Sequence, residues 1–359
     1  MTNITSNKNS ESLFRWLIRR SDPLESICFF YISVSNANNA RYAPLFEHTK
    51  NIRIVYFKGL SLKYSDRILL VFFRKIPVMF RKKIERYESL HIFSLLNWPI
   101  TKTQILHVDD PLYSVDERKA IARWERNLIA NFAIPILICT NQYTYNWYKT
   151  YLSRTKVMII EQGFSKIKVE EPKKRSHAFT CVFSSPYIHY FGDKHGSHST
   201  WGAKVLIDEV IPKLYDLDPS IRVELIGELG EKAREALDNY SNWISFGRVD
   251  PIQNQVLISH CDLGLYPRMF DHKRSILKIM SYLGAGVPIV TFDLIDTKIV
   301  KDYDLGPVVS NINDFVLSII KLKNHPDLLN YYKKNVMKIN TFYTWENLSE
   351  KMEKEISLL

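Results

Sequence analysis

The chain has 359 residues, of which 46% are hydrophobic and 24% charged, and it carries a formal net charge of +11. That length exceeds one ordinary domain core and suits two, and the balance excludes an intrinsically disordered chain. No apolar run approaches the roughly 20 residues of a membrane-spanning helix. The opening MTNITSNKNSESLFRWLIRR lacks the apolar centre of a secretion signal, so a cytoplasmic protein is expected.

In chain order, Ile27–Val34 (ICFFYISV) is an apolar strand followed by a polar loop holding Ser35, Asn36 and Asn38. Asn51–Phe57 is a second strand. Leu69–Tyr87 mixes aromatic and basic residues and is expected to be helical, with a break at Pro77. Leu90–Leu96 and Ile105–Val108 are short strands, Asp116–Phe132 a two-faced helix, Ile134–Cys139 a strand, Thr140–Leu152 a helix and Val157–Ile160 a strand. Strands alternating with helices predict a parallel, doubly wound sheet. The polar run 165–178 reads as a linker. A second alternation follows from Phe179–Phe183. At the end, Trp345, Leu348, Met352 and Ile356 fall on one face of a closing helix over Tyr343–Leu358.

Cys28, Cys139, Cys181 and Cys261 each lie in an apolar segment far from the others, which predicts buried thiols in a reducing compartment. The charge is unevenly placed. Residues 1–165 hold 24 Lys and Arg against 13 Asp and Glu, whereas 166–359 hold 25 of each. Within the first half, residues 51–86 carry ten basic and two acidic side chains. Such asymmetry predicts an anionic partner surface.

The richest stretch is CDLGLYPRMFDHKRSILKIMSYLGAGVPIVTFD, residues 261–293. It reads as strand (Leu263–Tyr266), cationic loop, helix (Ser275–Leu283), two closing glycines (Gly284 and Gly286) and strand (Pro288–Phe292). Helix N-termini present unpaired N–H groups and a partial positive charge, and they bind phosphate. Arg274, Ser275 and Lys278 at that helix start therefore predict a phosphorylated small-molecule ligand.

The run from Lys278 through Ser281, Tyr282, Gly286 and Pro288 resembles the K-L-x-E-Y-x-A-x-G-x-P-V-V signature of GT-B glycosyltransferases, family 4 and its relatives. Trp201–Ile207 resembles the KG-x-x-x-L-I helix start, Arg222–Gly227 the L-x-I-V-G strand, and Ser245–Val249 with Leu257–Pro267 the x-G-x-V and A-D-x-x-L-x-P segments. The resemblance covers about residues 180–310 well and the first half in outline.

The resemblance implies an α/β fold of two Rossmann-like domains facing across a cleft. These would be an acceptor-binding domain (1–165), a nucleotide-sugar donor domain (179–340) and a closing segment (341–359) packed back on the first. It implies a hexosyl transfer without metal or other cofactor, with retention of configuration expected rather than inversion. The donor diphosphate would lie on Arg274, Ser275 and Lys278. Lys194 is the one Lys or Arg in the loop Ser184–Gly202, where the family places a phosphate ligand, and the base would lie at Phe246, Gly247 and Arg248. His189, His195 and His198 in and around that loop lack the spacing of a metal site. In the first domain, His107, Asp109 and Asp110 end a strand and are candidates for the acceptor-side catalytic groups. Ser35, Asn36 and Asn38 are candidates for acceptor contacts. Lys273 and Ser281 stand where family 4 commonly has two glutamates.

The expected acceptor is a glycan or lipid-linked saccharide used in cell-surface polysaccharide or glycolipid synthesis. The enzyme would sit on the inner membrane face through basic residues 53–87, at roughly 1 kcal/mol per basic side chain near anionic lipid. Two other readings are a GT-B-like binding protein without activity and a DNA-modifying glycosyltransferase. Nothing in the chain resembles a base-reading motif, so nucleic acid is not an expected partner.

Overall fold

The computed structural model describes residues 28–33, 53–58 and 105–108 as backbone strands, and residues 136–164, 178–190, 202–269 and 277–357 in fuller detail. The described residues form two compact units. One holds those up to Gly163 and those from Trp345 onward; the other spans Phe164–Thr344.

In the first unit β1 (Cys28–Ser33) pairs in parallel with β2 (Arg53–Lys58), Cys28 opposite Arg53. A second parallel sheet has the order β3 (Ile105–Val108), β4 (Ile136–Cys139), β5 (Lys156–Ile159). All four β4 residues, Ile-Leu-Ile-Cys, are buried, as expected of a parallel strand covered on both faces. Between β4 and β5 runs α1 (Gln142–Tyr151). Its start is fixed by Asn141, whose side-chain oxygen accepts from the Thr144 N–H at 2.8 Å.

The second unit is built on six parallel strands. In chain order these are β6 (Thr180–Ile188), β7 (Arg222–Leu229), β8 (Trp243–Gly247), β9 (Leu263–Tyr266), β10 (Ile289–Phe292) and β11 (Val308–Val309). The connecting helices are α2 (Ala203–Val205), which continues through a π-turn into α3 (Ile211–Leu217), then α4 (Glu231–Leu237), α5 (Pro251–Ser259), α6 (Leu277–Gly284) and α7 (Lys298–Asp302). After β11 come α8 (Ile312–Asn324) and α9 (Pro326–Asn340). The spatial order is β11-β10-β9-β6-β7-β8. The chain thus runs outward from β6 to β8, crosses back, and runs outward again from β9. Its direction reverses between β6 and β9, and open sheets of this kind hold their ligands beyond the carboxyl ends of the strands at such a point.

Side-chain alternation along the strands divides the core. Cys181, Phe183, Leu263, Leu265 and Val290 pack with Leu206, Val210, Leu214 and Phe315. Val182, Ile226 and Ile289 pack with Ile258, Ile279, Tyr282, Leu283 and Val336.

Where the expected elements fall on described residues they recur with shifts of one or two residues at their ends, with one larger difference; the helices expected over Leu69–Tyr87 and Asp116–Phe132, the strand Leu90–Leu96 and nearly all of the linker 165–178 lie outside the described residues. Ser184 onward was expected to be loop, yet β6 continues to Ile188. The reason is a bulge. The register against β7 slips between Ser184 and Tyr187, and Pro186 sits in the slip, where its missing N–H leaves no ladder bond unmade. Gly227 of β7 answers it with φ 146°. A β-carbon there would lie 1.7 Å from the Ser185 carbonyl oxygen, so only glycine fits.

The last helix, α10 (Trp345–Ser357), belongs with the first unit. Trp345, Leu348 and Met352 are buried, one helical face as the spacing predicts. Gly163 lies against the Trp345 ring and Leu348, with no room for a β-carbon. Lys351 pairs with Glu161 at 2.9 Å, and Lys156 donates to the Glu355 carbonyl at 2.8 Å. Among the described residues no helix is long and apolar enough to cross a membrane.

Candidate functional site

The ladder between β6 and β9 is short. Only Cys181↔Leu263 and Val182↔Gly264 pair. Beyond them the two strands part, and the gap is occupied by Tyr282 of α6. Its hydroxyl accepts from the Ser184 N–H at 3.2 Å and donates to the Leu265 carbonyl at 3.0 Å, so it satisfies both strands where they no longer satisfy each other. The ring fits because residue 264 is glycine: a β-carbon there would come within 2.7 Å of the ring. Burial pushes the Tyr282 phenol above its ordinary range, so it stays protonated and able to donate. Ser184 is further tied to α5 through its hydroxyl, 2.7 Å from Asn254 Oδ1.

Two cations meet at this divergence. Arg268, two residues past the end of β9, is 2% exposed, an unusual depth for an arginine, and its Nη1 donates to the Tyr266 hydroxyl at 3.0 Å. Gly202, at the start of α2, leaves the space that Pro267 and Arg268 occupy; a β-carbon there would lie 2.8 Å from the Pro267 carbonyl oxygen. Lys278, in the first turn of α6, sets its Nζ 4.2 Å from the centre of the Phe183 ring on β6. Part of the residue reaches solvent, yet the ammonium group is enclosed. Loss of hydration, followed by repulsion from Arg268, pulls its pKa from the ordinary 10.5 down to about 7. Two positive groups held together at a sheet's switch point have the chemistry to hold an anion carrying more than one charge.

Some of the remaining expected residues are also described. Phe246 and Gly247 end β8; Gly247 takes φ 68°, and no atom lies within 4 Å of the β-carbon it lacks. Arg248 reaches across to β6, where its Nη1 donates to the Tyr187 hydroxyl at 3.3 Å and its guanidinium lies 5.4 Å from that ring. His189 is buried at the end of β6 beside Tyr187. Ser281 turns its hydroxyl back to the Leu277 carbonyl of its own helix at 3.0 Å. His107 lies in β3, of which only the backbone is described. Ser35, Asn36, Asn38, Asp109, Asp110, Lys194, His195, His198, Lys273, Arg274 and Ser275 lie outside the described residues, as does most of the basic stretch 53–87. Among the described residues no cluster of His, Cys, Asp and Glu could hold a metal ion.

Arg268 was missed by sequence reasoning. Its signal was present, because an arginine directly after an apolar strand and a proline occupies the strand end where ligands bind.

No protein-family model and no curated protein matches the chain. Solved structures do. Anabaena HepE in complex with UDP is similar over 93% of this chain and 100% of its own, with TM-score 0.63 and 13% identity. A glycosyltransferase from Rickettsia africae is similar over 93% of this chain and 98% of its own, with TM-score 0.63 and 11% identity. The fold is GT-B. TarM from S. aureus, solved with UDP, α-GlcNAc-glycerol and fondaparinux, matches 73% of this chain at TM-score 0.55 and 16% identity. The chain spans about half of TarM, 53% of its length. At such identities the likeness is one of GT-B architecture.

Proposed function

We propose that this GT-B protein transfers a glycosyl group from a nucleoside diphosphate sugar to a hydroxyl of a glycan or lipid-linked acceptor. The observation that carries the reading is the Arg268–Lys278 pair at the reversal between β6 and β9. As the glycosidic bond breaks, negative charge concentrates on the departing diphosphate. Enclosed cations fixed in advance stabilise that charge more than they stabilise the bound donor. In this reading they supply the charge compensation that a metal ion supplies elsewhere, and the open side of Gly247 leaves room for the base. The acceptor-side groups are His107, Asp109 and Asp110, with Ser35, Asn36 and Asn38 beside the acceptor. The basic stretch 53–87 holds the enzyme to an anionic membrane face, where polysaccharide or glycolipid acceptors are found. Retention of configuration is part of the same proposal.

Thermal unfolding of the purified protein with UDP, GDP, ADP, dTDP and CMP tests the donor site. A nucleotide at 100 times its dissociation constant adds about 2.7 kcal/mol. Stabilisation by one diphosphate, lost in Lys278→Ala, followed by transfer of labelled sugar from the matching donor, is the expected result. No stabilisation by any of the five refutes the donor site.

A second reading, nucleotide binding without transfer, is favoured by Ser281. Its short side chain is bonded to its own helix where the related signature has a glutamate. Nucleotide binding with no transfer or donor hydrolysis in the presence of varied acceptors would decide for it.

A further inference from the structure

We infer that Tyr282 is a positioning residue: wedged between β6 and β9, it holds Arg268 and Lys278 in the register that receives the diphosphate. The inference rests on the donor-site reading above. Three observations carry it.

First, the wedge and the cation share one rigid element. Tyr282 and Lys278 are four residues apart on α6, so their side chains rise from the same face about one turn apart. Fixing the Tyr282 hydroxyl fixes the height of Lys278 over Phe183. Second, the hydroxyl touches both strands that define the gap: Ser184 directly follows Phe183, and Leu265 precedes Tyr266, whose own hydroxyl receives Arg268. One atom thus sets the spacing of the strand that seats Lys278 and the strand that delivers Arg268. Third, the site is built around the ring. Gly264 has no side chain where the ring lies, and the β6–β9 ladder ends where the hydroxyl begins. A ring that merely filled core volume would need the space at Gly264 but not the hydroxyl's bonds to both strands where their ladder ends.

Tyr282→Phe keeps the ring and removes only the hydroxyl, leaving the Ser184 N–H and the Leu265 carbonyl without their partner. Two readouts test it. The ε-¹³C titration of Lys278 requires no ligand. A wild-type midpoint near 7, from enclosure and Arg268, is the expected result, and displacement in Tyr282→Phe should move it up toward the ordinary 10.5. Titration with UDP and inorganic pyrophosphate should show affinity weakened about tenfold for both, the equivalent of about 1.4 kcal/mol.

An unmoved midpoint with unchanged affinity overturns the inference, whatever the variant does to thermal stability. If the wild type binds neither UDP nor pyrophosphate while the midpoint still moves, the donor reading fails and the wedge stands. If Tyr282→Phe does not fold, amide exchange in the wild type decides: slowing at Ser184 on adding pyrophosphate supports the coupling, and no change overturns it.

Discussion

Gly264 leaves open the space that the ring of Tyr282 fills: a β-carbon at position 264 would lie 2.7 Å from that ring. This contact, buried on the α6 side of the sheet, converts a helix side chain into part of the sheet's hydrogen-bonding pattern. Gly264→Ala should therefore cost about 1–3 kcal/mol of overpacking, measured as a lower urea midpoint with unchanged slope.

Arg268 should act on phosphate and on nothing else in the ligand. Arg268→Ala is expected to weaken binding of UDP and pyrophosphate by about 30-fold, roughly 2 kcal/mol for a charge-assisted contact. Binding of uridine, measured in parallel by calorimetry, should be unchanged. Equal losses for uridine and UDP would show that the substitution damages the fold rather than the phosphate seat.

Lys278 gives the site a pH dependence whose direction follows from its lowered pKa of about 7. A diphosphate favours the protonated amine. Affinity should be highest below pH 7 and fall as the pH rises above it, with proton uptake visible as a buffer-dependent binding enthalpy. The stability effect has its own sign. The unfolded chain holds this proton up to about pH 10.5, so unfolding takes up a proton between about pH 7 and 10.5. The cost of enclosing the charge is full below pH 7 and fades as the pH rises. Lys278→Met should be more stable than wild type at neutral pH, by a margin that vanishes toward pH 10.5.

Trp345 anchors α10 to the first unit through Gly163, and only 3% of it is exposed. Trp345→Ala should cost about 3–5 kcal/mol by chemical denaturation, the range for deleting a buried aromatic. A loss below 1 kcal/mol would mean that α10 is held by its ion pairs instead.

Much of this was legible in the sequence because it rests on local chemistry. The apolar runs at Leu263–Tyr266 and Ile136–Cys139 are strands, and Gly286, with φ 76°, closes the turn after α6. The 3–4-residue spacing of Trp345, Leu348 and Met352 is the buried stripe of α10. Lys278 stood out as a charge in the first turn of a helix. What was not legible depends on partners distant in sequence. Tyr282 on an apolar helix looks like core filler until Gly264 and Ser184, 18 and 98 residues away, are brought to it. The burial of Arg268 and its bond to the Tyr266 hydroxyl were not legible, being tertiary facts invisible in a lone arginine after a proline. The continuation of β6 through Pro186 was hidden by a residue that ordinarily ends strands, and it is permitted by a bulge that Gly227, 41 residues later, makes possible.

The second unit begins and ends at one place. Phe164 and Thr344 lie side by side as a parallel bridge, and the Phe164 N–H donates to the Tyr343 carbonyl at 3.1 Å. A segment whose two ends touch has the geometry of a cassette. It can be spliced into a surface loop of an unrelated host with linkers of only a few residues, or its ends can be joined and new ones opened elsewhere. In genetic terms, residues 164–344 have the form of a transposable part, with the splice junction drawn by a single backbone hydrogen bond.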